Sequence, residues 1–521
     1  MARLHEHEGK AVLAREGIAV PRGRVARSAE EARDAAAAIG GPVVVKMQAW
    51  TTGRAAMGGI AFAQTPAEAA DHAGRMLAMR VGQFPVEAVL VEEKLAIAAE
   101  LFVSVSIDER ARSPVLLLAG GGGSGVVERA SLVQRLACSG AAGPDAAALS
   151  AAVAHLPLES ALRSRVEAAI RRLFEIAREI EARSLEINPL VITGDGRLVA
   201  ADCRVTIDDN AVFRHPQLGI EIAREFDHPP TALERIAYQV EQADHRGTFY
   251  FAQLATEAPA GGGRLIGFHG AGGGGSMMSM DAATGAGFTL ANFTDTSGNP
   301  SAAKVYRAAR IILSQPGLVG YFGSGSGVAN QEQFWSAYGL AKAFWELELA
   351  IPAVIRLGGN AEDRAVEILE SVRAHIPAPV EGSRKTDPPA KIAARLAALV
   401  QESEPAPWKP RAPRRPPFAG APASTRFELK GGRLWIDPRA WAAHAPAIVS
   451  RSYGILKDDA GRPALAVRPE ELAAKDSELI ACEVECRRAA IDGVFVELDI
   501  PGLSALLESP GPPPPSTPPP G

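Results

Sequence analysis

Leu265-Ile-Gly-Phe-His269-Gly-Ala-Gly-Gly-Gly-Gly275 is a short apolar run that breaks into glycines. The same phrase recurs twice downstream. Residues 318–322 lead into Gly323-Ser-Gly-Ser-Gly327 and a helix from about Gln331, and residues 353–357 lead into Gly358-Gly-Asn360 and another helix. Strand, glycine turn and helix in repetition specify an open parallel α/β sheet, whose ligands sit at the carboxyl ends of the strands. Glycine turns at helix N-termini expose N–H groups that suit a carboxylate or a phosphate.

Upstream, residues 1–235 alternate helical and strand patterns. Ser28-Ala-Glu-Glu31 and Thr65-Pro66-Ala-Glu68 are capping boxes, the second with proline at the first helical position. Between them Pro42-Val-Val-Val-Lys46 predicts a buried strand that ends in a lysine. Leu162, Val166, Ile170, Leu173, Ala177 and Ile180 keep one apolar face of a helix. Strands follow at 185–192 and 197–201 about a turn at Thr193-Gly-Asp-Gly196.

That hairpin places residue 188 opposite 202 or one position off, with Glu186 on the face of Asn188. Two acids and an amide in one spot suit Mg²⁺, which takes oxygen ligands and keeps positions for water and phosphate; a solvated polar hairpin face has the same residues. Lys46 suits a phosphate contact or an exposed strand end. The loop Thr51-Thr-Gly53-Arg54-Ala-Ala-Met-Gly58-Gly59 suits a phosphate cover or a hairpin turn, and Glu92 and Glu100 flank a turn where ribose or adenine fits.

The composition excludes several classes. Fifty-five Lys and Arg against sixty Asp and Glu give a net charge of −5, with no nucleic-acid or membrane signature. Four cysteines in 521 residues fit a reducing compartment better than a disulfide scaffold, and no apolar run of about 18 residues occurs, so the expected location is the cytoplasm. Gly 51 and Pro 39 are high, but proline concentrates at 405–422 and 510–520. Those stretches read as a linker (404–424) and a disordered tail (504–521).

Leu4-His-Glu6, Val44-Val-Lys46, Leu90-Val-Glu92, Leu185 to Leu190 followed by Asp202, Asn210-Ala-Val-Phe-Arg214, Ala291-Asn-Phe293 and Arg356-Leu357 together resemble the β subunit of succinyl-CoA synthetase and related ADP-forming acyl-CoA ligases. The resemblance spans about residues 3–385. It implies an ATP-grasp domain at 1–235 and a flavodoxin-like ligase domain at 245–400. It also implies that Lys46, Gly53, Arg54, Ala55, Glu92, Leu95 and Glu100 hold ATP or GTP, and that Asn188 and Asp202 hold Mg²⁺. Glu186 would meet a phosphorylated histidine. His269, Ser324, Gly325 and Ser326 would face a small carboxylic acid. That histidine and the main CoA-binding fold belong, in this family, to an α-type subunit, so such a partner is expected. Three loops depart from the family: Gly53-Arg54 is followed by Ala55-Ala56-Met57 in place of a glycine–lysine pattern, His269-Gly-Ala-Gly272 stands in place of Asn-Gly-Ala-Gly, and Phe322 is followed by Gly-Ser-Gly-Ser in place of Gly-Gly-Ile-Val. A non-catalytic regulatory subunit with a diverged fold, or an ATP-grasp ligase joining a carboxylate to an amine, are the alternative readings. His5 and His7 look like a metal pair, but the family places a structural helix there.

Residues 425–503 predict a small α+β unit with hairpins at 427–436 and 455–467, a helix carrying Cys482 and Cys486, and a strand at 493–500. The order resembles a two-cluster bacterial ferredoxin. Asp476 and Leu479 stand at two of its ligand positions, so no iron–sulfur cluster is expected. An unrelated α+β appendage is the other reading.

Overall fold

The computed structural model describes residues 1–122, 133–243, 248–258, 263–325, 327, 329–413, 427–430, 433–436, 455–457, 463–467, 500 and 502–508. Ser326 and the two cysteines of the 425–503 unit lie outside these residues. The chain divides into two compact units, Met1–Pro230 and Thr231–Pro514.

Besides the two-stranded ribbon Arg80–Val81 with Phe84–Pro85, the first unit contains two antiparallel sheets among the described residues. The smaller has the strand order Gly23–Ala26, Val89–Glu93, Val43–Met47, Ile60–Ala63. Helices Ala29–Ile39 and Pro66–Leu77 cover it, and their N-caps are as expected: Ser28 Oγ accepts the Glu31 N–H and Thr65 Oγ1 the Glu68 N–H. In Val43–Met47 the residues Val43, Val45 and Met47 are buried, which turns Lys46 to the opposite face. The larger sheet runs Ala2–Arg3, Cys203–Ile207, Ala182–Thr193, Ile97–Asp108, Ser113–Gly120, Gln134–Ser139, Gly143–Pro144. Its core is closed by helices Glu6–Arg15, Ala146–Ala154 and Ser160–Glu179.

The second unit is built on the order Tyr250–Gln253, Asn292–Asp295, Arg264–Ala271, Gly320–Gly325, Ala353–Arg356, Val380–Ser383. All neighbours are parallel except the first pair. Helices Gly273–Gly285, Ala302–Ile312, Phe334–Glu346, Glu362–Ser371 and Pro389–Ser403 complete an open α/β fold.

Four details depart from the expectations. The first unit ends a little before residue 235, because helix Ala232–Ala243 gives Leu233, Ile236, Ala237 and Val240 to the second core. Helix 334–346 starts later than Gln331, since Ala329–Glu332 first pairs with Gly359–Asn360. The glycine loops are shorter than they read. Arg264–Ala271 is strand through Gly270 and Ala271, and Gly273 already opens the helix, leaving Gly272 at φ +94° as the turn. Gly323 and Gly325 are likewise in strand. Here glycine serves packing: a Cβ on Gly323 would lie 2.8 Å from Ile355 Cδ1, and one on Gly270 2.2 Å from Ser276 Oγ.

The fourth concerns the tail. Residues 504–508 are not part of it: Leu503–Glu508 is a helix with Leu503 buried and Leu506 and Leu507 packed on the second core. The spacing of these leucines gives it one apolar face. In the 425–503 stretch the strands Phe427–Lys430, Arg433–Ile436, Pro463–Val467 and Ile455–Lys457 form an antiparallel sheet in that order. The expected cysteine helix and most of the last strand lie outside the described residues. No helix among the described residues is long and apolar enough to cross a membrane.

Candidate functional site

The first helix, Glu6–Arg15, opens with two acids, and His5 precedes it as N-cap, its N–H donating to Glu8 Oε2 at 2.7 Å. Glu6 and Lys10 stand one turn apart on one face. That face lies very close to strand Cys203–Ile207, because Gly9 has no side chain: a Cβ there would sit 2.9 Å from Cys203 Sγ. The close approach carries Lys10 to the Ala201 carbonyl, to which Nζ donates at 2.7 Å.

Around this helix the first unit assembles six charged side chains. Lys10 Nζ donates to Glu6 Oε1 at 2.7 Å and to both oxygens of Glu92 at 2.6 and 2.7 Å. Lys46 Nζ donates to Glu6 Oε1 at 2.8 Å and to the Ala201 carbonyl at 2.6 Å, and lies 2.9 Å from Glu92 Oε2. Arg54 Nη1 donates to Glu6 Oε2 at 2.7 Å and to the Met47 carbonyl at 3.1 Å; its Nη2 donates to Asp202 Oδ2 at 2.6 Å. Three cations thus meet three carboxylates. The Lys10, Glu6 and Glu92 side chains are buried, Lys46 and Arg54 nearly so, and Asp202 keeps 31% of its exposure.

Local sequence explains how each group arrives. Gly23 faces Glu92 across the small sheet, where a Cβ would fall 2.7 Å from Glu92 Cγ; its absence leaves room for the acid. Arg54 sits in a tight turn with Gly53 and Gly58 at positive φ (+69° and +76°), closed by the Gly59 N–H donating to the Arg54 carbonyl. Gly53 and Ala55 are exposed on that turn. Asn188 lies opposite Asp202, its N–H donating to the Asp202 carbonyl at 3.4 Å, which matches the register expected from the hairpin. Asn188 Nδ2 donates to Glu186 Oε1 at 3.5 Å.

The protonation states follow from these contacts. Burial raises the Glu6 carboxyl, but Lys46, Lys10 and Arg54 outweigh it and hold the group well below the usual carboxylate range. Burial depresses Lys46, yet Glu6, Glu92 and Asp202 leave it above its ordinary value. Asp202 goes the other way: burial, then the Glu6 charge, push it up against Arg54, Lys46 and Lys10. Glu186 is raised by burial, with Arg204 opposing.

Lys46, Arg54, Glu92 and Asp202 therefore converge, with Asn188 and Glu186 beside Asp202. Leu95 and Glu100 are half-buried further along, outside the ion cluster. Glu6 stands in the Leu4-His-Glu6 motif without an assigned role, and Lys10 lies outside every sequence motif. Their i,i+4 spacing on a helix that opens with acids was the available signal.

In the second unit His269 is buried at a strand end. Its Nδ1 lies 2.6 Å from Tyr321 Oη and its Nε2 3.4 Å from Thr296 Oγ1, which itself donates to the Gly270 carbonyl. Those directions make Nε2 the protonated nitrogen and Nδ1 an acceptor. Burial pushes the imidazole down to about 3, so it is neutral. Ser324 Oγ is buried and accepts from Ser279 Oγ at 2.8 Å; Gly325 gives its carbonyl to Arg356 Nη1 at 2.6 Å. Tyr321, Thr296 and Ser279 carry no sequence signal of a site, whereas Arg356 opens the Arg356-Leu357 motif. Arg356, at a strand end as Lys46 is, was the legible one.

The ATP-grasp domain family matches residues 3–192. The succinate–CoA ligase [GDP-forming] subunit beta of Thermus thermophilus is 32% identical over 387 residues, covering 73% of this chain and 97% of that protein. The succinate–CoA ligase [ADP-forming] subunit beta of Rubrobacter xylanophilus is 33% identical, covering 70% and 92%. Among solved structures, ATP citrate lyase from Methanothrix soehngenii in complex with citrate and coenzyme A superposes with a TM-score of 0.60 at 18% identity, over 76% of this chain and 99% of that one. That likeness shows a shared fold.

Proposed function

The chain belongs to the family of succinate–CoA ligase β subunits, and we propose that it is the nucleotide-binding subunit of an acid–CoA ligase that works with an α-type partner. The observation that carries this reading is the convergence of Lys46 and Arg54 on the one carboxylate of Glu6, with Arg54 reaching on to Asp202 and Asn188 opposite it. Two cations from a sheet and its adjoining turn, beside oxygen donors on a second sheet, suit a polyphosphate. Phosphoryl transfer asks for charge neutralisation and alignment more than for covalent help.

The donor set fits Mg²⁺: an amide oxygen and a partly exposed carboxylate leave positions for water and phosphate. Asn188 and Asp202 would hold the ion, and when bound it supplies charge neutralisation on the phosphate oxygens. Lys46 and Arg54 bind and orient the phosphates. Glu186 accepts a hydrogen bond from the partner's histidine and aligns its ring nitrogen. That nitrogen forms an N–P bond as the bond between the γ-phosphorus and the bridging oxygen breaks, releasing ADP or GDP. A carboxylate then takes the phosphoryl group, giving an acyl phosphate, and the CoA thiolate displaces phosphate to form the thioester.

In the second unit the neutral His269, tied to Tyr321 and Thr296, shapes the strand ends where the acid binds, with Ser324 and Gly325 on the neighbouring strand. The test mixes the purified chain with ATP or GTP, Mg²⁺, CoA and a panel of small acids, with and without an α-type subunit. Thioester is expected only when both are present. Rapid thioester formation by this chain alone would overturn the division of labour.

A further inference from the structure

The nucleotide reading above leaves one buried acid and one buried lysine without a task. Resting on that reading, we propose that Glu6 is the internal counter-ion of the nucleotide site. It occupies Lys46 and Arg54 while the site is empty, and it stays with Lys10 when they turn to phosphate.

The contacts make the occupancy complete. An ammonium has three N–H groups, and those of Lys46 meet three acceptors: Glu6, Glu92 and the Ala201 carbonyl. Arg54 spends Nη1 on Glu6 and the Met47 carbonyl, and Nη2 on Asp202. Glu6 is the acid common to both cations, through Oε1 to Lys46 and Oε2 to Arg54. A phosphate oxygen can replace that carboxylate in kind, an anionic acceptor for the same donors.

Lys10 makes the exchange affordable in charge. It is buried, shares a helix turn with Glu6 and holds both Glu6 and Glu92. It shares the Ala201 carbonyl with Lys46, but its side chain is 4% exposed against 11% for Lys46 and 12% for Arg54, so it lies deeper in the cluster. In the empty site three positive and three negative groups balance. After exchange Glu6 and Glu92 keep Lys10, Asp202 is free for a cation, and Lys46 and Arg54 carry phosphate. Without Glu6 the two ligand cations would sit desolvated and underpaired in an empty site. With it they are held in place, and the nucleotide must displace an anion to bind.

The measurement is calorimetric titration of the full chain with Mg-ATP and, separately, Mg-GTP, on wild type, Glu6→Asp and Glu6→Gln, with thermal unfolding to verify folding. Glu6→Asp keeps the charge but shortens the reach by one methylene, so it loosens the hold and retains the fold should Glu6→Gln fail to. Affinity is expected to rise in the order wild type, Glu6→Asp, Glu6→Gln, by roughly ten-fold or more over the series, since two charge-assisted hydrogen bonds to Glu6 no longer have to be broken. Nucleotide binding by wild type with equal or weaker binding by both folded variants would overturn the exchange and leave the nucleotide reading intact. Absence of binding in all three would overturn the nucleotide reading and the exchange with it. Binding gained only on substitution would establish Glu6 as the block.

Discussion

Replacing Lys10 with methionine removes one cation from a buried cluster and leaves the volume nearly unchanged. The ammonium nitrogen has four acceptor contacts, to Glu6, to both oxygens of Glu92 and to the Ala201 carbonyl, at 2.6–2.7 Å. Without it three carboxylates face two cations, and Glu92 keeps only Lys46. Removing one partner of a buried pair costs about 3–5 kcal/mol, because the other charge is left uncompensated. For a unit of this size, ~2–4 °C per kcal/mol gives a fall of roughly 6–20 °C in the unfolding temperature of the first unit. Circular-dichroism melts of Lys10→Met beside the exposed-pair control Arg22→Ala make the comparison; Arg22 pairs with Glu93 at the surface and should cost less than about 1 kcal/mol. The double variant Lys10→Met/Glu6→Gln restores two cations to two carboxylates and should recover part of the loss. The pH dependence has a definite sign. Glu6 has a depressed pKa when folded, so its stabilisation is present above about 4.5 and is lost as pH falls through the folded value. In Lys10→Met the remaining acids protonate more readily, so the gap to wild type should narrow from pH 6 to pH 4. A Lys10→Met melt within the Arg22→Ala control would refute the reasoning.

Three further predictions address the second unit. His269, pushed down to about 3 by burial, should show no imidazole titration by NMR between pH 5 and 8. Its folded state binds fewer protons than the unfolded chain below about 6.5, so its contribution falls as pH drops through that value; a midpoint near 6.5 would contradict the burial. Gly339→Ala would place a Cβ 2.4 Å from the Ala302 carbonyl oxygen, at a close crossing of helices 334–346 and 302–312. It should cost about 1–3 kcal/mol in urea unfolding, and a neutral result would mean the helices stand further apart. Trp408 is buried and its Nε1–H donates to the Leu313 carbonyl at 2.7 Å. Trp408→Ala should lose about 3–5 kcal/mol, whereas a flexible linker at this position would lose nothing measurable.

Periodicity and caps carried most of the fold. The helices capped by Ser28 and Thr65, the hairpin that faces Asn188 with Asp202, and the strand–helix repetition after residue 262 are all local patterns, and local patterns are what one chain displays. What escaped depends on distant packing. Glycines 270 and 323 look like anion loops in sequence; they are close-contact positions set by Ser276 and Ile355, which no spacing announces. Helix Ala232–Ala243 has a plain apolar stripe, but which core receives it is a tertiary fact. The proline excess at 405–422 reads as linker, yet it includes the Trp408 anchor, and the leucines at 503, 506 and 507 were hidden beside the proline tail. In the site, Lys46, Arg54 and Asp202 were legible through family motifs. Lys10 was not, since its partner Glu92 lies 82 residues away.

The central claim is that Lys46 and Arg54 hold a nucleotide beside Asn188 and Asp202. Calorimetric titration of the full chain with Mg-ATP and Mg-GTP, wild type against Lys46→Met, tests it most directly. The account predicts saturable binding of at least one nucleotide at one site per chain, weakened about ten-fold or more in Lys46→Met, since a charged hydrogen bond to phosphate is lost. Binding that is unchanged in a folded Lys46→Met protein, or no binding of either nucleotide by wild type and Glu6→Gln alike, would contradict it.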